Sequence, residues 1–458
     1  MSDGDDQAEG QAEVAGPGRD MDQARRGRPE PYWPDHRLDR PMPDTPLRQS
    51  LALLFTRRFG TFWFASLLAN IGTWAQQVAQ PWLMLSLGAS SVLLGIDSFA
   101  AGAPALLLTF VGGTLADRSD RRRVIAVFQS IQMLCPVLIV VLLIAGKVSP
   151  WIVIAMSLIV GVTDALSMPS FQTIISSIVD KDRLAAALGL NATQFNLSRI
   201  LGPAIAGVLM VSVGATGAFA VSAASYVPFI LVALWILPHS IPQAAEAPVL
   251  ARARAMQVLR HVAGDRALRG ALLAVFVTST LCSPLLTFSP ILVRDAFAGN
   301  VAHFSGVVTA FGLGGLVAAA GLLAVDARRD RRPIAASFSL AFALVVVLVA
   351  LNPWVWGLPL LFTLAGLAMT AGNVSVNAFI QIAAPPALRG RSISLYMLAM
   401  RGGLSIGGLL TGLSVSWLGV RHALLLNGLL ALGLQALNSR NWLRQGAESK
   451  ALAQESRV

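Results

Sequence analysis

Long apolar runs alternate with short polar turns from residue 59 to residue 439. Each run is about 20 residues or longer, and at 1.5 Å per residue a helix of that length crosses roughly 30 Å of hydrocarbon. The pattern predicts twelve transmembrane helices, at approximately 59–87, 91–116, 122–145, 150–179, 184–212, 216–238, 268–294, 303–325, 333–351, 354–383, 391–417 and 421–439. Two polar stretches break the rhythm. Residues 1–55 open with acids and continue with Arg and Pro, lack the apolar core of a cleavable leader, and read as a disordered cytoplasmic tail. Residues 239–267 read as a linker, in which Ala255, Val258, Leu259 and Val262 share one face, as in a short interfacial helix.

The two halves repeat. Gly161-Val-Thr-Asp-Ala-Leu-Ser-Met-Pro-Ser170 lines up with Gly366-Leu-Ala-Met-Thr-Ala-Gly-Asn-Val-Ser375, and at the same offset Gly202 and Gly207 fall on Gly407 and Gly412. Gly113 with Arg121 to Arg123 has a degraded echo in Gly321 with Asp326, Arg331 and Arg332. The expected fold class is an all-α integral membrane protein, twelve helices in two pseudo-symmetric six-helix bundles. The bundles cover 56–238 and 268–440, joined by the linker at 239–267 and followed by a cytoplasmic C-terminal tail at 441–458.

Composition changes the picture only in excluding a soluble protein. Charged residues make up 13% of the chain and hydrophobic residues 55%, whereas a soluble domain is about 25% charged. The net charge of +11 is not a nucleic-acid footprint. Its arginines and lysines cluster in alternate connections (Arg57 and Arg58, Arg118 to Arg123, Lys181 and Arg183, Arg252 to Arg269, Arg328 to Arg332, Arg389 and Arg391, Arg440 and Arg444), and the intervening turns hold only Lys147, Arg294 and Arg421. By the positive-inside rule the basic loops and both termini are cytoplasmic. Cys135 and Cys282 form no disulfide framework, and His239, His261, His303 and His422 have no metal-ligand spacing.

The turn Gly113-Thr-Leu-Ala-Asp117-Arg-Ser-Asp-Arg121-Arg-Arg123 resembles the loop between helices 2 and 3 of the major facilitator superfamily. Ser90-Ser91-Val-Leu-Leu-Gly95, Ala103-Pro104, Asn191-Ala-Thr-Gln-Phe-Asn-Leu-Ser-Arg199-Ile-Leu-Gly202-Pro203-Ala-Ile-Ala-Gly207 and Leu388-Arg389-Gly390-Arg391 extend the likeness to nearly all twelve helices. Together they resemble the enterobactin-exporter, or transmembrane secretion effector, branch. The resemblance implies two bundles around a central cavity, an arrangement for which this superfamily is the standard example. It also implies a gating loop of Gly113, Asp117, Arg118, Arg121 and Arg122, with Asp117 docking near Arg389, and an antiporter hinge at Gly202, Pro203 and Gly207. For that hinge, close helix packing is an equal explanation. Three departures stand out: Asp120 replaces a glycine of the superfamily loop, Ser157 stands where many drug antiporters carry an arginine, and Gly72-Thr73-Trp74 lacks the helix 1 acid of many relatives.

Four ionisable residues fall inside the spans and matter most: Asp97, Asp164, Arg199 and Arg401. A charge at the bilayer centre costs about 3 kcal/mol or more, so each requires a partner or water. From the helix rise, Asp164 and Arg199 lie about 24 Å and 22 Å from the turn that joins helices 4 and 5, and Asp97 lies about 9 Å deep. A buried cluster of Asp97, Asp164 and Arg199 is therefore expected, either as a static ion pair or as a proton site. Arg401 has no acid in its own half, which suits it to an anionic substrate or to capping a carbonyl. Asn70, Gln76, Gln77 and Gln80, with Gln172, Gln194, Asn196, Asn373, Asn377 and Gln381, are expected to line a wet cavity, and Trp74 to stack on a substrate.

No catalytic constellation and no nucleotide-binding Gly-Lys-Ser/Thr loop is present. The expectation is a secondary transporter of the bacterial inner membrane, not an enzyme, monomeric, without a cofactor and driven by the proton gradient. It would export a siderophore-like or amphipathic small molecule. A multidrug efflux pump, or an uptake symporter or facilitator for a metabolite or lysophospholipid, is the alternative.

Overall fold

The computed structural model describes residues 51–238, 264–323, 325, 330–385 and 388–455. Its helices are α1 (Arg57–Ser86), α2 (Ser91–Arg118), α3 (Arg121–Ile144), α4 (Pro150–Ile178), α5 (Leu184–Ser212), α6 (Gly214–Trp235), α7 (Arg266–Val277, with a broken helical run beyond it), α8 (Val301–Leu323), α9 (Arg331–Leu351), α10 (Leu358–Ala383), α11 (Arg389–Leu418) and α12 (Val420–Glu455). Among the described residues, eleven helices are long and apolar enough to cross a membrane. The twelfth, α1, has the length at 30 residues, but its Asn and Gln stripe dilutes its apolar character. The expected 1–55 tail lies mostly outside the described residues, as does most of the 239–267 linker.

Helices begin where the sequence supplies a cap. Ser90 accepts the Leu93 N–H ahead of α2, and Asp265 accepts from Ala267 and Leu268 ahead of α7. Asp120 accepts the Arg122 N–H ahead of α3, and Asp330 accepts the Arg332 N–H ahead of α9. Each acid satisfies a backbone donor that the first helical turn leaves free. The faint echo between the two basic loops is thus a shared helix start. Tight turns behave likewise: Gly214 opens α6 at φ +66° and Gly419 precedes α12 at φ +76°, both in the left-handed region that favours glycine.

Packing obeys the repeat. In the first bundle α1 packs on α5 and α6, α2 on α4, and α3 on α4 and α6; in the second, α7 packs on α11 and α12, α8 on α10, and α9 on α10 and α12. Every pair has its counterpart. Between the bundles α2 meets α11 and α5 meets α8, again equivalent contacts. The apolar core shows where the bundles touch. At the end remote from the arginine-rich loops, one cluster joins both bundles, from Met84, Leu94 and Ala206 to Phe288, Phe304 and Val415. At the arginine-rich end the clusters are separate, one around Phe62, Ile175 and Phe229 and the other around Leu268, Val376 and Tyr396.

The seventh helix is broken. Thr278–Cys282 and Leu292–Ala296 are π-helical turns with short helical pieces between them. Gln435 of α12 donates to the Ala274 carbonyl and to the Thr278 hydroxyl, so a polar side chain from the neighbouring helix serves the first π-turn. The last helix continues beyond residue 440, where the apolar pattern placed a tail. Trp442 is buried, edge-on to Phe379 and against Gly270. A tail boundary at 440 therefore cuts a packed helix. Apolar periodicity ends there, but the burial of one large aromatic does not.

Candidate functional site

Asp164 and Arg401 meet across the two bundles. Arg401 Nη1 of α11 donates to Asp164 Oδ2 of α4, and each side chain is 28% exposed. The expected cluster of Asp97, Asp164 and Arg199 does not form. Helix rise fixes how far along its helix each residue lies, but it carries no information about which neighbour a helix face meets. The hairpin helices α4 and α5 are poor neighbours here: α4 packs on α2 and α3 and touches α5 only slightly. Arg401, expected to stand without an acid, is the partner Asp164 takes.

Asp97 belongs to a separate network inside the first bundle. Gln80 Nε2 of α1 donates to its Oδ2 at 2.7 Å, and Ser157 Oγ of α4 donates to its Oδ1 at 2.6 Å. Gln80 Nε2 also lies 2.7 Å from Ser157 Oγ. Asp97 and Ser157 are both buried. Three helices are thereby fastened by neutral donors on a carboxylate, and among the described residues no basic group pairs with it. Ser157, the residue that departs from the drug-antiporter pattern, is one of those donors.

Arg199 sits on the other side of the seam. Its guanidinium lies 5.4 Å from the centroid of the Trp74 ring, and Nη1 is 3.6 Å from Met400 Sδ of α11. The Tyr396 hydroxyl faces it and also reaches Asn377, while donating to the Asn373 carbonyl at 3.4 Å. Arg401 is close enough to act on it electrostatically. Among the described residues no carboxylate pairs with Arg199. A small cleft between α5, α8 and α10 is lined by Arg199 and Asn196 and, opposite them, Phe311, Met369, Thr370 and Asn373. Tyr396, Thr370 and Met369 were not legible as site residues. Tyr396 alone carried a signal, as one of three tyrosines in the chain.

The other cavity candidates divide. Asn196 and Asn373 line the cleft. Gln381 Nε2 donates to Asn377 Oδ1 at 2.6 Å, and Trp74 carries Arg199 on its face and Phe195 at its edge. Gln77 is exposed. Gln76 turns away, accepting from Ser222 of α6 at 2.9 Å, and Asn70 bonds back to the Ser66 carbonyl. Gln194 is 1% exposed, so it lines no cavity. A polar stripe on a membrane helix serves either water or a neighbouring helix, and sequence alone does not separate the two. The side chain of Gln172 lies outside the described residues.

The glycines expected to form a hinge sit at helix seams. A Cβ on Gly202 would collide with Trp74 of α1, and one on its repeat counterpart Gly407 with Thr280 of α7. A Cβ on Gly207 would collide with Thr309 and come within 2.7 Å of the Ser305 carbonyl oxygen of α8; one on Gly412 would lie 2.6 Å from the Ser91 carbonyl oxygen of α2. Pro203, inside α5, is buried. In the 2–3 loop, Arg122 Nη1 donates to the Leu234 carbonyl at the end of α6, and Arg121 Nε to the Ala116 carbonyl. These two arginines serve helix C-termini, where cations are favoured. Arg118 is exposed, and Gly113 has open space at its Cβ position. The side chains of Asp117 and Arg389 lie outside the described residues.

Comparison with known proteins agrees with this architecture. The family model for transmembrane secretion effectors matches residues 48–457. The chain is 27% identical to the staphyloferrin A transporter of Staphylococcus aureus over 266 residues, 56% of this chain and 64% of that one. It is 26% identical to the multidrug efflux pump Tap of Mycolicibacterium fortuitum over 394 residues, 82% of this chain and 95% of that one. Among solved structures, the nucleoside transporter NupG superposes with a TM-score of 0.64 at 18% identity, covering 84% of this chain and 99% of that one. A bacterial homologue of the lysosomal transporter Spinster, inward-facing and unoccupied, gives 0.60 at 15% identity over 88% and 98%. Paired bundles, equivalent seams and a family match over nearly the whole chain lead to one conclusion: this chain belongs to the transmembrane secretion effector family of major facilitator transporters.

Proposed function

We propose that this chain is a proton-coupled exporter of the bacterial inner membrane, with both termini cytoplasmic, moving a siderophore-like or amphipathic small molecule by alternating access. The observation that carries the reading is the ion pair between Asp164 and Arg401. Opening the remote end requires the bundles to separate along α2 against α11 and α5 against α8. The pair ties α4 to α11 across that same division. A proton on Asp164 removes one of the two charges, so proton occupancy and the distance between bundles become linked quantities. Asp97 has no such leverage, because its partners belong to its own bundle. The proton gradient is the energy source, and the protein acts as a monomer.

Similarity to the staphyloferrin A transporter supports a siderophore as cargo. A multidrug pump is the second reading, favoured by the longer alignment with Tap. Proton release from everted vesicles, on addition of catechol siderophores or of lipophilic cations, tests both. Release with one class that disappears in Asp164→Asn supports proton antiport and identifies the cargo. Release that persists in Asp164→Asn removes Asp164 as the carrier. No release with either class overturns proton-coupled export of these compounds.

A further inference from the structure

Among the described residues, this part of the seam holds two cations and one anion. Arg401 is matched by Asp164, and Arg199 is matched by nothing of opposite charge among the described residues. A guanidinium has five N–H donors in a planar fork. Those of Arg199 meet a thioether sulfur, a phenol and an aromatic face, and a thioether is a weak acceptor. An arginine held at membrane depth without a carboxylate is expensive unless something else supplies the negative charge.

The surroundings favour a bound anion over a fixed structural role. Trp74 and Tyr396 hold the guanidinium plane from α1 and α11, so the arginine is oriented before any ligand arrives. The cleft beside it offers Asn196, Thr370 and Asn373 as neutral hydrogen-bonding groups, and Phe311 and Met369 as apolar walls. It draws on both bundles, because Arg199 and Asn196 come from α5 and the other residues from α8 and α10. An occupant would therefore touch both halves of the transporter. Nearby Arg401 adds a second positive charge, cancelled only while Asp164 stays ionised.

We infer that Arg199 is the substrate-anchoring residue and that the cargo is an organic anion with an apolar body, its carboxylate or equivalent oxyanion seated on Arg199 between Trp74 and Tyr396. This deepens the exporter reading and rests on it for the identity of the ligand as cargo. Bidentate pairing of a guanidinium with an oxyanion is the strong, directional contact such a site selects. The cleft has room for little more than one water as it stands, so the apolar body would reach Phe311 and Met369 as the bundles part.

The test uses the full chain in nanodiscs of zwitterionic lipid and three probes of one shape: 2-naphthoate, 2-naphthamide and 2-naphthylmethylammonium. Calorimetric titration should give naphthoate an advantage of about tenfold or more over the amide, the size of one charge-assisted hydrogen bond. Arg199→Gln should reduce that advantage to about one while leaving amide binding in place, which shows the variant is folded; Arg199→Lys should retain part of it. Equal binding of the amide, tighter binding of the ammonium, or an anion advantage that survives Arg199→Gln overturns the assignment. The vesicle assay separates this outcome from failure of the transport reading. Proton release evoked by the ammonium probe would keep the exporter and discard the anion site. Anion binding through Arg199 with no proton release from any anion would keep the site and discard proton-coupled export.

Discussion

Arg401 of α11 donates its Nη1 to Asp164 Oδ2 of α4, and so an ion pair joins the two bundles of the transporter near the middle of both helices. A pair within one bundle would add stability and nothing more. A pair between bundles opposes the motion that transport requires, and its strength depends on one protonatable oxygen. The two charges sit at the seam, partly exposed rather than dry, which keeps the cost of breaking them moderate.

Removing one partner tests that cost. Asp164→Asn and Arg401→Gln should each destabilise by about 1–3 kcal/mol, between the values for exposed and for buried pairs. The exchange of both, Asp164→Arg with Arg401→Asp, should recover most of the loss in thermal unfolding of the purified protein. Two single losses that simply add in the double variant would show that the residues do not interact.

Asp97 should behave as a fastener. Ser157→Ala removes the donor on Oδ1 and should cost about 1–3 kcal/mol in the same unfolding measurement. Proton release should survive in Asp97→Asn. Abolished release with unchanged stability would move the proton site from Asp164 to Asp97.

The seam between α5 and α8 should be intolerant of side chains. Gly207→Val places methyl groups where Thr309 and the Ser305 carbonyl stand, and is expected to pry the remote end open. A cysteine at Ser305, buried in the native protein, should then react faster with a membrane-impermeant maleimide. Gly433→Ala, whose Cβ meets open space, serves as the control and should leave the rate unchanged.

Asp120 is a helix cap. Asp120→Ala should cost about 1 kcal/mol, while Asp120→Gly, which restores the superfamily's residue, should cost only a few tenths. Thermal unfolding of the two variants distinguishes a cap from a gating charge, since loss of a gating charge would alter transport equally in both.

Gln435 should matter to the broken helix. Gln435→Leu leaves the Ala274 carbonyl and the Thr278 hydroxyl without their donor, and should cost about 1–3 kcal/mol. Hydrogen exchange along α7 should rise most near Thr278. Uniform exchange along α7 would show that the π-turn holds without it.

Much of this molecule was readable from one dimension. Run length gave the helices, because the hydrocarbon thickness sets how many apolar residues a span needs. The glycine repeat gave the paired bundles: Gly202 and Gly207 face α1 and α8, as Gly407 and Gly412 face α7 and α2. Position along each helix was also readable, since helix rise is constant. Azimuth was not. Asp164 and Arg199 turn to different partners, and the choice of Arg401 depends on α4 leaning on α2 and α3 instead of α5. The polar stripe of α1 shows the same division, with Gln80 spent on Asp97, Gln76 on Ser222 and Gln77 left exposed. Local hydrophobicity and spacing determine what each helix is and how far each charge lies along it. Which charges meet is decided by helix rotation and non-sequential packing, and those exist only once all twelve helices are assembled.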